Sequence, residues 1–241
     1  MRVWIHLVLL ICPTVSYTQQ AKIEIPRSSK SPPLEETSYI DDSRLLRLLQ
    51  SKLEKAIEEK VLPEATLLRE QLEQSHTSVS LDEIPPSNEA MSPQQIYQKR
   101  LGSVLILGNL FKCDKCDKWH LNTAGGVVLT RNGIAATNHH VIENKKAAGF
   151  GALTRDGVFY PVLEVLAAND DDDVALIRLE GDRFSAAPLG EARIGDAVAV
   201  ISHPDKHFYT QYIVILHATV AIMLSDTVSR HRHRRRGRRT E

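Results

Sequence analysis

Residues 124–142 read AGGVVLTRNGIAATNHHVI and carry two short apolar runs on either side of a turn. Gly126 to Thr130 and Gly133 to Thr137 are rich in aliphatic and β-branched residues, which favour strands. The turn between them, Arg131-Asn132-Gly133, contains the Asn-Gly pair that favours a tight hairpin. The stretch therefore predicts two antiparallel strands, the second of which ends at a pair of histidines.

Further runs of the same kind lie on both sides of this hairpin. They are Ser103 to Leu107, Val158 to Val165, Val174 to Leu179 and Ala197 to Ser202. Turn residues such as Arg155-Asp156-Gly157 separate them, and no helical period intervenes. Six short strands of this kind predict an antiparallel barrel or sandwich, so we expect residues 101–211 to form an all-β domain.

Residues 41–100 show the period of helices instead. After an acidic start, apolar residues recur at every fourth position, at Leu45, Leu49, Leu53, Ile57 and Val61. A second helix is predicted from Glu64 to Gln74, and a third begins at Ser92-Pro93, a pair that suits the first positions of a helix. We expect a helical hairpin packed on the domain or on itself, with an oligomerising coiled coil as the alternative.

Residues 1–16 have the pattern of a secretory signal peptide. A positive start is followed by an almost unbroken apolar run, Val3 to Cys12, and then by small residues that suit cleavage after Ser16. The run is about half as long as a bilayer-spanning helix, so we expect no stable membrane anchor. Residues 17–40 contain three prolines and no apolar period, which predicts a flexible linker. The mature protein is therefore predicted to be secreted or periplasmic.

Composition and charge exclude several classes of protein. The chain has 241 residues, of which 42% are hydrophobic and 25% charged, and this balance excludes collagen-like and wholly disordered proteins. Its 30 basic and 30 acidic residues cancel, so no nucleic-acid partner is expected. Seven arginines lie between Arg230 and Glu241, and residues 212–241 are predicted to be an atypical basic tail with a solvated arginine cluster. We interpret Tyr212 to Leu224 as a buried strand pair or helix rather than a membrane anchor.

One histidine and one aspartate in the β region could act together. His140 lies at the end of the second hairpin strand, and Asp173 lies 33 residues later at the start of another strand. An imidazole is a general base near neutral pH, and a carboxylate on its other nitrogen fixes its tautomer and stabilises the imidazolium. Because the chain has 10 histidines, the surrounding sequence must decide whether this pair is more than a coincidence.

The surrounding segments resemble, in chain order, the trypsin-like serine proteases of the HtrA/Deg type. The similar segments are residues 123–142, 156–162, 172–177 and 188–204. His140 stands in Thr-Asn-His-His-Val and Asp173 in Asp-Asp-Val-Ala-Leu, and the resemblance as a whole covers residues 101–208. It implies a mainly β, chymotrypsin/trypsin-like barrel that hydrolyses peptide bonds, with His140 as the general base and Asp173 as its orienting carboxylate.

The nucleophile of that family has no counterpart in this sequence. The family's serine stands in a Gly-x-Ser-Gly-Gly-Pro turn, which exposes the hydroxyl and aims backbone N–H groups at the oxyanion. Beyond the resemblance the only serines are Ser225 and Ser229, and after Gly195 the only glycine is Gly237. We therefore assign no nucleophile, and we expect an incomplete second barrel in a chain that is truncated or altered from Tyr212 onward.

The resemblance and the missing serine together predict a serine-type endopeptidase-like protein that is inactive as given. Its partners would be exported polypeptide substrates or peptide ligands. The alternatives are a non-catalytic protease-like module that binds peptides or a partner, and a zinc-binding structural protein. The sequence predicts no oligomeric state.

Cys113-Asp114-Lys115-Cys116 is followed by His120 and forms a motif of its own. For an exported protein, our first interpretation is a local disulfide between Cys113 and Cys116. The alternatives are a zinc site with His120 as third ligand and His139 as a candidate fourth, and a redox-active pair. A c-type haem is excluded because Asp117 stands where a histidine would have to be. Apart from zinc, no cofactor is expected.

Overall fold

The structure is a computed structural model that describes residues 40–74, 79–82, 84–86, 90–113 and 115–216. The predicted signal peptide, the predicted linker up to residue 39, and residues 217–241 of the predicted basic tail lie outside these ranges. Among the described helices, none is both long and apolar enough to cross a membrane.

Six antiparallel strands form the main body of the described residues. Their bounds are β1 Val104–Cys113, β2 Cys116–Val128, β3 Ile134–Thr137, β4 Ala147–Leu153, β5 Phe159–Asn169 and β6 Val174–Leu179. They close into a barrel in the order β1-β2-β3-β6-β5-β4. Gly133, in the predicted turn before β3, has a φ of +87°, a conformation that favours glycine. The mainly β barrel predicted from the sequence is confirmed.

The sequence does not predict β4, because its residues, AAGFGAL, are mostly alanine and glycine. The small residues allow other parts of the protein to come close to this strand. A Cβ on Gly149 would lie 2.7 Å from Cδ1 of Leu62, and one on Gly151 would overlap the ring of Phe159. Close packing, and not strand propensity, therefore accounts for the composition of β4.

β1 is buried on both of its faces. Leu105 and Leu107 pack in the barrel core with Phe150, whereas Ile106 and Leu110 belong to a second apolar cluster. A helix, α1 (Asp42–Glu58), contributes to this second cluster the side chains of Leu45, Leu49 and Leu53. The apolar stripe of α1 is therefore buried against the outside of the barrel.

The described residues form three further α-helices and two short 3-10 helices, Leu101–Ser103 and Pro204–Lys206. α2 (Ala65–Gln74) packs on β5, and α3 (Pro93–Arg100) begins with a capping box between Ser92 and Gln95. The fourth, α4 (His139–Ile142), is a single turn that follows β3 directly. α1 and α2 thus lie against the barrel that holds the predicted site, whereas α3 contacts the strand Ala197–Ser202.

Two last strands form a separate antiparallel sheet, β7 (Ala197–Ser202) with β8 (Thr210–Ile215). Between them, His203 donates from Nε2 to the Leu105 carbonyl oxygen at 3.0 Å, and its Nδ1 accepts from the Tyr209 N–H at 3.0 Å. At the start of α1, Asp42 Oδ1 accepts from the Phe208 N–H at 3.0 Å. These hydrogen bonds attach the second sheet to β1 and to α1.

Candidate active site

Two neighbouring strands bring the predicted pair together. β3 and β6 are paired in the barrel, with Thr137 opposite Ala175. The chain leaves β3 after Thr137 and enters α4 at once, and it enters β6 from a turn that ends at Asp173. Since the end of β3 and the start of β6 lie at the same edge of the barrel, His140 and Asp173 are neighbours despite their separation in sequence.

The His140 ring is hydrogen-bonded to the Asp173 carboxylate. Nδ1 lies 2.8 Å from Oδ2 and 2.9 Å from Oδ1, and the backbone N–H of His140 donates to Oδ1 at 3.0 Å. An ionised carboxylate only accepts hydrogen bonds, so Nδ1 carries the proton. In the neutral ring Nε2 then keeps its lone pair, which is the tautomer that a general base requires.

Asn138 is a third member of this arrangement, and the sequence analysis gave it no role. Its side-chain amide donates to Asp173 Oδ2 at 3.1 Å and to the Asp173 carbonyl oxygen at 3.2 Å. Asn138 stands directly before α4, so its side chain can reach back across the gap to the turn before β6. The sequence feature that could have identified Asn138 is its position two residues before His140 in Thr-Asn-His-His.

The environment of Asp173 favours its ionised form. Desolvation acts to raise the pKa of its carboxyl, but hydrogen bonds from the backbone and ring of His140, the ring charge, and the Asn138 amide together lower it below the usual aspartate value. Its backbone is in the left-handed region, with φ of +51°. A charged acceptor is thus held against the His140 ring.

The other side of the His140 ring faces open space. Its side chain is 68% exposed and that of Asp173 is 44% exposed. Within the described residues, the hydrogen bonds of the His140 side chain go to Asp173 alone. Ser225 and Ser229, the serines left over by the sequence analysis, lie outside the described residues.

His139 belongs to a different pair, and its surroundings differ from our expectation. We expected neighbouring histidines in a strand, but both lie in the helix α4, where successive side chains point about 100° apart. His139 Nδ1 lies 3.5 Å from Asp170 Oδ1, and its side chain is only 13% exposed. It lines a cavity of about 470 Å³ with charged residues of both signs, among them Arg69, Glu73, Glu143 and Lys145.

The two cysteines of the second motif face each other at the tip of the β1–β2 hairpin. The structure has no bond between their sulfur atoms, and the local disulfide of our first interpretation stays a prediction. Cys116 Sγ lies instead 3.1 Å from Nε2 of His120, and Cys113 Sγ accepts a hydrogen bond from the Lys115 N–H at 3.4 Å. The ligand atoms of Cys113, Cys116 and His120 all lie within 4.8 Å of one another, and His139 is not a member of this group.

Comparison with known proteins agrees with this fold. Residues 124–239 match the family model of the trypsin-like peptidase domain, and this range extends beyond residue 208, where the resemblance in our sequence analysis ended. Over 113 residues the chain is 28% identical to the serine endoprotease DegS of Haemophilus influenzae. That match covers 45% of this chain and 30% of the relative, so the chain spans about a third of the relative's length. The predicted resemblance is confirmed: the chain carries a trypsin-like segment of the HtrA/Deg type.

Proposed function

We propose that this chain is a serine-endopeptidase-like protein that interacts with exported polypeptides and, as given, does not hydrolyse peptide bonds. The observation that carries the proposal is the hydrogen bond between His140 Nδ1 and Asp173 at 2.8 Å. The match to the trypsin-like peptidase domain supports the serine-protease-like part of it. The signal-like residues 1–16 support export to the periplasm or the exterior.

The pair supplies two of the three groups used in acyl transfer by serine proteases. His140 Nε2 can accept a proton from an attacking hydroxyl, and Asp173 can stabilise the imidazolium that forms. Both functions need only the edge of the barrel at β3 and β6. The general base is therefore preorganised whether or not a nucleophile is present.

The nucleophile and the oxyanion donors are the groups that the sequence does not provide. Within the 241 residues, no serine stands between the glycines that the required turn needs. When a triad member is lost from a serine protease, the residual rate comes largely from the oxyanion hole and from binding. With neither the serine nor the glycine turn, His140 and Asp173 are left to activate water alone, so we expect no peptide hydrolysis above background.

Covalent labelling and casein hydrolysis test this proposal. The purified chain is treated with a fluorophosphonate probe and, separately, assayed on casein beside a His140→Ala variant. We expect no labelled serine and the same casein signal for both proteins. Labelling of Ser225 or Ser229, together with casein hydrolysis that His140→Ala abolishes, would show that the chain is an active serine endopeptidase.

A further inference from the structure

We propose that Cys113, Cys116 and His120 form a zinc-binding site at the tip of the β1–β2 hairpin. This site is distinct from the His140–Asp173 pair and does not depend on the proposed function. Cys113 and Cys116 are directly paired across the hairpin, and His120 lies on β2 four residues after the second cysteine. A C-x-x-C pair on a tight turn is a common source of two zinc ligands.

The spacing of the three ligand atoms is close to that of a tetrahedral zinc site. With zinc–sulfur bonds of about 2.3 Å and zinc–nitrogen bonds of about 2.0 Å, tetrahedral ligand atoms lie roughly 3.5 to 3.8 Å apart. In the structure the three atoms lie within 4.8 Å of one another, and Cys116 Sγ is 3.1 Å from His120 Nε2. Movements of about 1 Å or less in these side chains would therefore bring all three onto one ion.

The hairpin also holds the ligands in place. The His120 ring stacks on Phe111, its partner across the two strands, with ring centroids 5.4 Å apart. The Lys115 N–H donates to Cys113 Sγ at 3.4 Å. Such hydrogen bonds are typical of groups that orient metal ligands.

The chemistry of the three ligands selects the metal. Two thiolates and an imidazole suit zinc, whereas calcium and magnesium prefer oxygen ligands. Two thiolates also balance the charge of a divalent ion. A disulfide would use both sulfur atoms and would leave the position of His120 beside Cys116 without a role. Because His120 is exposed and the cysteines are partly exposed, the ion can enter from solvent, and the fourth position is left to water or to an external donor.

A bound zinc ion would stabilise the hairpin by joining its two strands. The β1–β2 register shifts between Lys112 and Cys113, so the regular ladder ends just before the tip. An ion held by both strands would join them beyond that point. Because the ion binds the folded hairpin, zinc should raise the midpoint of thermal unfolding.

Metal titration of the full chain under reducing conditions tests the site. We expect one equivalent of zinc, and with cobalt a thiolate-to-metal charge-transfer band. Cys113→Ser and Cys116→Ser should each abolish the band, and His120→Ala should weaken zinc binding by more than about 100-fold, since even groups that only orient ligands contribute 10- to 100-fold. Lys115→Ala, on the same turn, and His207→Ala, an exposed histidine outside the hairpin, serve as controls and should bind zinc like the unaltered chain.

Two results would overturn the proposal. One is a reduced chain that shows no thiolate-to-cobalt band, and the other is a His120→Ala variant that binds zinc with unchanged affinity. Should a cysteine variant fail to fold, alkylation of the unaltered chain decides the question, read at the peptide that contains both cysteines. One equivalent of zinc should protect both thiols, whereas alkylation at the rate of the metal-free chain, or a disulfide that forms despite zinc, contradicts the site.

Discussion

The closed barrel and the β7–β8 sheet differ sharply in how well their apolar residues are buried. In β1 of the barrel, Leu105 and Leu107 are 0% and 1% exposed, whereas Ile213 and Val214 of β8 are 52% and 43% exposed. His140 and Asp173, the proposed general base and its carboxylate, lie at one edge of this barrel. The β7–β8 sheet is the only other sheet among the described residues, and it has two strands. The function proposed for His140 and Asp173 therefore rests on the barrel and not on the β7–β8 sheet.

Truncation of one side chain in each region should give the largest difference in the loss of stability. Phe150 is 1% exposed in the barrel core, so Phe150→Ala should destabilise the protein by about 3–5 kcal/mol, through lost burial and the cavity left behind. Ile213→Ala should change stability by less than about 0.5 kcal/mol, because that side chain is already half exposed. Denaturant unfolding of both variants measures the difference. Equal losses would show that the β7–β8 sheet is buried in the protein in solution.

Removal of the His203 side chain should have the next largest effect, since it joins the two regions. His203→Ala leaves the Leu105 carbonyl and the Tyr209 N–H without their partner, so we expect a loss of about 2–3 kcal/mol. His207→Ala is the matched control, because the His207 side chain is 75% exposed and should contribute little. A His203→Ala variant as stable as this control would mean that the sheet is not attached through His203.

The same histidine should make stability depend on pH. Burial lowers the pKa of His203, against the opposing hydrogen bonds to Leu105 and Ser202 and the charge of Asp42. The folded protein then binds this proton more weakly than the unfolded chain, so stability is lost as pH falls through the ordinary histidine range, from about pH 8 to about pH 5. Protonation would also place a hydrogen on His203 Nδ1, so that two donors, this N–H and the Tyr209 N–H, would face each other. Thermal unfolding across this range should show a smaller pH dependence in His203→Ala, and an unchanged dependence would contradict the assignment.

Replacement by phenylalanine of either of two tyrosines, Tyr209 and Tyr97, should change the stability of the protein, but in opposite directions. The Tyr209 hydroxyl is buried, and the described residues offer it no hydrogen-bond partner, so Tyr209→Phe should stabilise the protein by about 1 kcal/mol. The Tyr97 hydroxyl donates to the Tyr209 carbonyl oxygen at 2.9 Å, and Tyr97→Phe should destabilise it by a similar amount, about 1 kcal/mol. Chemical denaturation measures both. Destabilisation by Tyr209→Phe would reveal a partner for its hydroxyl.

The smallest expected effect is on the titration of Asp173, which lies in the candidate site of the barrel. The lowered pKa of Asp173 means that its carboxylate stays ionised beside His140 to a lower pH than an ordinary aspartate would. The contribution of this contact to stability is lost as the pH falls through the folded-state pKa. Carboxyl NMR should show Asp173 titrating below an aspartate in an unfolded peptide. Asn138→Ala, which removes one donor, should shift the titration upward. An unshifted Asp173 would mean that the pair does not form in solution.

The sequence predicts the strands whose residues have a clear pattern. It does not predict strands whose composition is set by close packing against other parts of the protein. The Asn-Gly turn and the run after it predicted β3 nearly to the residue, and the separate run Val174 to Leu179 predicted β6. The alanines and glycines of β4 have no strand period, and the close packing of Leu62 and Phe159 explains them. The first half of β2, residues 116–123, also escaped prediction because polar residues dominate it.

The candidate site divides in the same way. His140 and Asp173 were found through the motifs of a family, since a spacing of 33 residues says nothing by itself about contact. The role of Asn138 and the separate pairing of His139 with Asp170 both follow from the helical turn α4, where the sequence had suggested a strand. A single turn of four residues is too short to show a helical period.

The hydrogen bond between Asp42 and the Phe208 N–H joins residues 166 positions apart, and this separation bears on how the chain folds as it is made. The contacts of α1 with β1 and β4 need only the residues up to Leu153, and the barrel can close once β6 ends at Leu179. Chains fold from the N-terminus during synthesis. The first residue of α1 can therefore gain this partner only after residue 208 has emerged, whereas the contacts of that helix with β1 and β4 can form earlier.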